Sequence, residues 1–389
     1  MVHKVHLKRT RRLLHGHLWI FSNELHENPK TYTPGSLVEV YNMQDVFIGI
    51  GYINPNSLIS IRLLTNKNER IDKDFLRRRM TAAVSLRKRL LGDRDAFRVV
   101  YSEGDYLPGL IVDRYGACVV LQLLTFGVET MKEMLIELVE ELLRPEVIVL
   151  RNESRVRQLE GLSLYKEVVK GTLEKFPVIR EGELLFEINP YEGQKTGFFL
   201  DQRDNRISLK QYIREGKGLD LFSYIGAWSM HLASAGAEVI CVDSSEKAMT
   251  QTTRNAELNG LAHRISCVRE DVFSFLENEL RGNEKKYDFI VLDPPAFVKS
   301  AGKLKEALKA YREINAMSMR LLKKGGILAS SSCSHHLNKA LFAEMLHDAS
   351  RTAQRDVRLI ELRSQAPDHP ILLSMPETEY LKCAFLMVD

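Results

Sequence analysis

From about residue 190 onward, short apolar runs alternate with helix-length segments, and this rhythm limits the fold more than any other feature of the chain. Gly218–Phe222 precedes a helix-length segment at Ala227–Ala235, Glu238–Val242 one at Ser245–Asn259, and Ile265–Arg269 a short one at Val272–Asn278. Phe289–Leu292 precedes a long segment at Lys303–Leu322, and Gly326–Ser331 one at Lys339–Gln354. The last two runs, Val357–Leu362 and Tyr380–Met387, have no helix-length segment between them. The expectation is a doubly wound, Rossmann-like α/β sheet with an antiparallel strand at its end.

The upstream half has a different grain. Residues 1–70 read as a small β-barrel domain, with strands at Leu37–Tyr41, Val46–Tyr52 and Leu58–Leu64 separated by Pro34-Gly35, Asn42 and Asn54-Pro55-Asn56. Residues 72–91 read as a helix through Leu76, Met80, Ala83, Val84 and Leu90, with arginines and lysines on the remaining positions. A middle α+β section follows, with strands near Arg98–Tyr101, Gly109–Asp113, Cys118–Leu124, Val147–Arg151 and Leu184–Asn189, a helix near Val128–Leu143, and a loop or weak hairpin over Arg151–Lys175. The expected domains are 1–70, 72–189 and 190–389.

No run approaches the 18 or so apolar residues of a membrane span, and the basic start lacks the apolar stretch of a signal peptide. A cytoplasmic protein with no membrane partner is expected. The five cysteines (Cys118, Cys241, Cys267, Cys333, Cys383) are widely spaced and form no C-x-x-C pair, so a disulfide framework or zinc ribbon is not expected. The chain carries a net charge of +4, yet residues 1–100 hold 18 Lys and Arg against 9 Asp and Glu, which leaves a net −5 for the rest. A basic end suggests an anionic partner, nucleic acid first, although a solvated basic face would have the same composition.

Ligands of doubly wound sheets bind beyond the carboxyl ends of the strands. Asp220 closes the first strand, Asp243 the second and Asp293 the fourth, and Asp271 follows the third. Asp243 lies 23 residues after Asp220, a spacing that suits a carboxylate accepting ribose hydroxyls. Asp271 with Val272 could meet the polar edge of an adenine. Any one of these aspartates could equally cap the helix after it; four in this order favour a nucleoside site. The first turn, Leu221-Phe222-Ser223-Tyr224-Ile225-Gly226, has one glycine and bulky neighbours, unlike the G-x-G-x-x-G turn that admits a pyrophosphate. No Walker A sequence is present. A nucleoside with a short zwitterionic tail fits better, which points to S-adenosylmethionine as cofactor.

The segments D-L-F-S-Y-I-G, V-D-S-S, D-V-F, L-D-P-P-A-F and S-S-C-S are similar to the successive motifs of class I S-adenosylmethionine-dependent methyltransferases. Upstream, Gln194–Arg206 resembles the Q-K-T-G-F-F-L-D-Q-R segment of one subgroup: the RlmI-like large-subunit (23S) ribosomal RNA cytosine-5 methyltransferases, which carry an N-terminal PUA domain. The resemblance covers essentially the whole chain, including W-I-F-S at Trp19–Ser22. It implies a PUA-like RNA-binding domain at 1–70, a methyltransferase domain at 190–389, and a cofactor site made by Lys195, Phe198, Asp201, Arg203, Asp220, Phe222, Ser223, Tyr224, Asp243, Ser244, Asp271, Val272 and Asp293.

Cytosine C5 is too weak a nucleophile to take a methyl group directly. A thiolate that adds at C6 turns C5 into a carbanion equivalent. Cys333 alone among the cysteines follows a strand and enters a polar loop; the resemblance implies that it is this nucleophile. The other four lie in β-like runs and are expected to be small core residues. Asp293 could hydrogen-bond the N3/N4 edge of the base and help polarise it. Many cytosine-5 enzymes have a second cysteine after the proline of this motif, where this chain has Pro295 and Ala296. The base for C5 deprotonation therefore remains unassigned. His335 and His336 follow Cys333, but a zinc site needs about four ligands and no second cluster exists, so no metal is expected.

Two other readings carry different expectations. D-P-P followed by an aromatic is shared with adenine-N6 and guanine-N2 methyltransferases, though Ala296 intervenes before Phe297 and Cys333 would have no role. A non-enzymatic RNA-binding protein would need no cofactor aspartates. The candidate phosphate-binding residues are Lys8, Arg9, Arg11 and Arg12, with no acid before Glu24. The expected partner is 23S ribosomal RNA, naked or in a pre-ribosomal particle; a homodimer is left open.

Overall fold

Five short strands rich in branched apolar residues open the chain in the computed structural model, which describes residues 3–282, 285–297, 302 and 304–389. They are β1 (His3–Leu7), β2 (Trp19–Phe21), β3 (Leu37–Asn42), β4 (Phe47–Ile53) and β5 (Ile59–Thr65), hydrogen-bonded in the order β1-β3-β4-β5-β2. β1 is parallel to β3, and the other pairs are antiparallel. Val5, Leu7, Ile20, Val38, Val40, Ile53 and Ile61 fill the interior. A Cβ at Gly51 would lie 2.3 Å from the Arg62 carbonyl oxygen, so only glycine lets β4 and β5 approach this closely. The basic N-terminal segment is thus not a free arm. It supplies β1 and the one-turn helix α1 (Arg11–Leu14), and Val5 and Leu7 alternate inward between lysines and histidines.

α2 (Lys73–Leu91) starts where Asp72 accepts the Phe75 N–H at 3.0 Å. It buries Phe75, Leu76, Met80 and Ala83 as its spacing demands, but Leu90 is exposed and Arg87 takes the inward place. Arg87 Nη2 donates to Asp105 at 2.8 Å and its Nε to the Arg98 carbonyl at 2.8 Å, so this buried charge is well hydrogen-bonded. A second sheet runs in the order β10-β9-β8-β7-β6, built from β6 (Ala96–Tyr101), β7 (Leu110–Tyr115), β8 (Cys118–Leu123), β9 (Val147–Asn152) and β10 (Tyr165–Lys170). The helix expected over Val128–Leu143 is two, α3 (Phe126–Glu129) and α4 (Lys132–Leu143). The stretch Arg151–Lys175, read as a loop or weak hairpin, contains α5 (Arg155–Leu159) and the edge strand β10. A hairpin of β11 (Val178–Glu181) and β12 (Leu184–Glu187) follows; β11 had no sequence signal of its own.

The remaining elements are α6 (Arg203–Leu209), β13 (Lys217–Leu221), α7 (Ala227–Ser234), β14 (Glu238–Asp243), α8 (Glu246–Leu258), β15 (Ile265–Arg269), α9 (Val272–Leu280), β16 (Tyr287–Leu292), α10 (Leu304–Leu321), β17 (Leu322–Ser332), α11 (Lys339–Ala353), β18 (Val357–Arg363) and β19 (Lys382–Val388). Lys303, the expected first residue of the long helix, lies outside the described residues. The seven strands order as β15-β14-β13-β16-β17-β19-β18, parallel except for β19, which is antiparallel to both neighbours. The doubly wound sheet is therefore present, and its antiparallel strand is the last in the chain, although in the sheet β19 lies one place in from the edge that β18 forms. The strand order reverses between β13 and β16, the switch point where such sheets bind ligands. Leu219, Leu221, Ile290, Leu292 and Leu328 pack on one face against α9, α10 and α11, and Val239, Phe289, Val291 and Phe385 on the other against α7.

The chain divides into two compact units. The first comprises Met1–Ile179, Ile188–Leu200 and Pro367–Thr378; the second comprises Arg180–Glu187, Asp201–Ala366 and Glu379–Asp389. Among the described residues, no helix is long and apolar enough to cross a membrane.

Candidate active site

At the end of β13 the backbone enters a tight turn in which Phe222 (φ 61°) and Tyr224 (φ 49°) are both left-handed. Non-glycine residues held there cost on the order of 1–3 kcal/mol each, and such strain gathers at binding sites. The turn is tied down at several points. Tyr224 N–H donates to Asp243 Oδ2 at 3.0 Å, Ser223 N–H to the Val242 carbonyl at 3.2 Å, and Gly226 N–H to the Ser223 carbonyl at 2.9 Å. Asp243 Oδ1 accepts the Ser245 N–H at 2.9 Å. The half-buried Asp243 carboxylate therefore orients the first turn while each oxygen keeps a lone pair.

Asp220 is fully buried; its Oδ2 accepts from Ser229 N–H at 3.1 Å and Ser229 Oγ at 2.6 Å, in the first turn of α7. Its other oxygen, like the buried Ser223 Oγ, has no hydrogen-bond partner among the described residues. Burial, and then the nearby charges of Asp293 and Asp243, push the Asp220 carboxyl up to about 7 despite its bonds to Ser229. Asp271 is exposed and caps α9, accepting the Ser274 N–H at 3.1 Å, while Val272 is buried and Ser244 exposed. So Asp220 and Asp271 do hold helix starts, the duller of their two roles, and Asp243 holds the turn.

Asp293, at the end of β16, is half-buried. Its Oδ1 accepts from Gln202 Nε2 at 3.0 Å and its Oδ2 from Trp228 Nε1 at 3.1 Å. Trp228 carried no sequence signal; Gln202 lies in the Q-K-T-G-F-F-L-D-Q-R segment, where it was assigned no role. Four residues on, the Phe297 ring packs 4.6 Å from that of Tyr311 and meets Phe222 and Phe273 at ring distances of 6.3 and 6.2 Å, forming an aromatic wall beside the switch point.

Cys333 follows β17 and is partly exposed. Ser332 donates its hydroxyl to Tyr311 Oη at 3.1 Å, and the Ser334 hydroxyl lies 3.2 Å from the same oxygen. One fully buried phenol thus grips both neighbours of the cysteine. Lys382 Nζ donates to the Ser334 carbonyl at 2.7 Å. His335 and His336 are exposed, with the His335 ring 5.5 Å from that of Tyr380. Cys118, Cys241 and Cys383 are buried, as expected of core residues, but Cys267 is exposed because β15 is the edge of the sheet. A hydrogen bond with Cys241, its register partner on β14, lowers the Cys267 thiol to about 7 against the effect of burial.

Asp201 and Arg203 are buried in the second unit, where Tyr380 Oη donates to Asp201 Oδ2 at 2.5 Å and Arg203 Nε to Asp204 at 2.9 Å. Lys195 and Phe198 belong to the first unit. There the exposed Lys195 is left-handed (φ 51°), with Nζ 4.4 Å over the Phe199 ring, and Phe198 is buried. Thr196 anchors that segment, donating to Asp113 at 2.6 Å. Lys8, Arg9, Arg11 and Arg12 are all exposed, and Arg12 Nη2 bonds Glu24 at 2.9 and 2.8 Å.

Comparison with known proteins gives this geometry a context. A family model described as S-adenosylmethionine-dependent methyltransferase matches residues 162–374, and one described as PUA-like domain matches residues 4–66. The chain is 34% identical over 383 residues to ribosomal RNA large subunit methyltransferase I of Pseudoalteromonas atlantica, covering 97% of each. It is 36% identical to the Klebsiella pneumoniae protein of the same name, covering 96% of this chain and 95% of that one. A putative ribosomal RNA large subunit methyltransferase of Methanocaldococcus jannaschii is 36% identical over 91% of this chain and 90% of its own. Among solved structures, a putative methyltransferase crystallised with SAH superposes over the full length of both chains with a TM-score of 0.86 at 20% identity, a likeness of fold.

Proposed function

Because this chain belongs to the S-adenosylmethionine-dependent methyltransferases that include ribosomal RNA large subunit methyltransferase I, with a PUA-like domain at its N-terminus, we propose that it methylates C5 of a cytosine in 23S ribosomal RNA through Cys333. We take 1–70 as the RNA-binding part, 72–189 as a middle part and 190–389 as the catalytic part.

The residues at the switch point fit the cofactor. Asp243 would take the ribose hydroxyls, and Asp271 with Val272 the adenine. Two buried polar atoms at the strained turn, Asp220 Oδ1 and Ser223 Oγ, have no partner among the described residues; an acceptor and a hydroxyl donor suit the ammonium and carboxylate of an amino-acid tail. When bound, the cofactor supplies an electrophilic methyl group on a sulfonium.

The protein's own share lies with Cys333 and Asp293. The Cys333 thiolate adds to C6 of the target base and raises electron density at C5, which becomes the methyl acceptor. Asp293, oriented by Gln202 and Trp228, takes the amino edge of the cytosine. C5 then gives its proton to water, the electrons of that bond re-form the C5–C6 double bond, and the C6–S bond breaks to release the thiolate. The single observation that carries this reading is the placement of Cys333, partly exposed and held between Ser332 and Ser334, which Tyr311 grips. An amino-group methyltransferase would have no use for a cysteine held there.

The test is a map of modified bases in 23S ribosomal RNA from a strain lacking this protein and from its parent. The reading expects one 5-methylcytosine to vanish with the gene. Loss of an N6-methyladenine or N2-methylguanine instead would replace it with amino-group transfer.

A further inference from the structure

Lys382 is only 3% exposed and stands opposite Ser332 in the antiparallel ladder of β17 and β19. Its Nζ reaches past that partner to donate to the Ser334 carbonyl at 2.7 Å and the Tyr380 carbonyl at 2.7 Å. The Nζ is thereby held at the backbone of the residue that follows Cys333, near enough for a charge on Cys333 to act on it. Both of its acceptors are neutral. Among the described residues no carboxylate lies within ion-pair distance of it; Glu379 acts on it from farther off and pairs with Lys339 at 2.6 Å. An ammonium buried with carbonyl partners alone is costly, and an anion beside it recovers much of that cost.

We propose that Lys382 is a positioning residue for the nucleophile: its ammonium is the counter-ion that holds Cys333 as a thiolate. The inference rests on the reading of Cys333 as the nucleophile. Cys333 gives its proton to water and Lys382 keeps its own, so the two side chains become an ion pair without any other group changing state. The groups that face Lys382 are Cys333 at the end of β17, Glu379 before β19, and Lys339 at the start of α11. The Tyr311 phenol also faces Cys333, and burial keeps it protonated. Burial lowers Lys382 itself to about 8, and the Cys333 charge is the largest influence in the opposite direction. Lys382 is thus still mostly charged at neutral pH. The pair also explains why so polar a residue begins a strand whose other members, Cys383 to Leu386, are buried and apolar.

The test reads the thiol without RNA. Iodoacetamide alkylation of Cys333 is followed by peptide mass spectrometry across pH 5.5–10 in the wild-type protein, K382M and K382R. The wild-type midpoint should lie at least about one unit below the ordinary thiol value of about 8.5. K382M should raise it by about one unit or more, with roughly tenfold slower alkylation at pH 7, and K382R should restore most of the difference. Exposed Cys267, in the same digests, should keep its profile in all three proteins. The same Cys333 midpoint in K382M and wild type overturns the inference. If K382M does not fold, the wild-type profile decides alone, and a midpoint at or above about 8.5 overturns the inference, because Cys333 is then not held as a thiolate. These results are separable from the functional reading, which falls only if a Cys333 variant still makes 5-methylcytosine.

Discussion

The Tyr224 N–H donates to Asp243 Oδ2 at 3.0 Å from a left-handed residue, so the carboxylate proposed to bind ribose also stabilises the strained turn beside it. Charge-assisted hydrogen bonds contribute roughly 1.5–3 kcal/mol each. Asp243→Ala should weaken S-adenosylmethionine binding at least about tenfold by calorimetry. Asp243→Asn, which keeps one acceptor oxygen for the turn, should melt closer to wild type and bind with intermediate affinity. An unchanged dissociation constant in folded Asp243→Ala would remove Asp243 from the cofactor site.

Asp220 makes stability fall with rising pH. Burial lifts its carboxyl from 3.8 to about 7, so the fold holds this proton more tightly than the unfolded chain does. That contribution is complete below about pH 4 and is lost as pH rises through about 7. Asp220→Asn removes the titration and keeps an acceptor for Ser229. Its melting temperature relative to wild type should therefore climb between pH 4.5 and pH 8. A difference that stays constant over that range would show that Asp220 does not carry the shift.

RNA affinity should depend steeply on salt through the basic N-terminal residues, and unequally among them. Arg12 is paired with Glu24, whereas Lys8, Arg9 and Arg11 have no ion pair among the described residues. Removing one phosphate-binding charge should flatten the slope of log K against log salt by roughly 0.7–0.9. The triple variant Lys8→Ala, Arg9→Ala, Arg11→Ala should flatten it by up to about three times that amount, and Arg12→Ala by much less than one such step, with cofactor affinity unchanged in both. A slope as steep in the triple variant as in wild type would make these residues a solvated face.

The strands of the parallel sheet were legible because each is a short apolar run bounded by polar residues; Ile265–Arg269 falls where its composition puts it. β1 was not, because Val5 and Leu7 sit among lysines and histidines, and their partner in register, β3, begins about thirty residues later. β10 was missed for a similar reason: an edge strand needs little apolar character, and Tyr165–Lys170 is half-exposed throughout. The strand-end aspartates and Cys333 announce themselves by position. The residues that hold them do not. Tyr311 reaches Ser332 from one helix, Trp228 reaches Asp293 from another, and Lys382 meets Ser332 only through a ladder between residues fifty apart. Such pairings belong to the folded topology, and local pattern carries no trace of them.

The central claim is that Cys333 forms a covalent adduct with the target cytosine. RNA in which 5-fluorocytosine replaces cytosine tests it most directly, since fluorine at C5 cannot leave as a proton and elimination of the thiolate stalls. With S-adenosylmethionine present, the wild-type protein should be trapped on this RNA as a denaturation-resistant complex linked through the Cys333 peptide. Cys333→Ala should form no complex and no 5-methylcytosine while still binding the cofactor, because the aspartates of that site lie on other strands. A Cys333→Ala protein that still makes 5-methylcytosine would contradict the account.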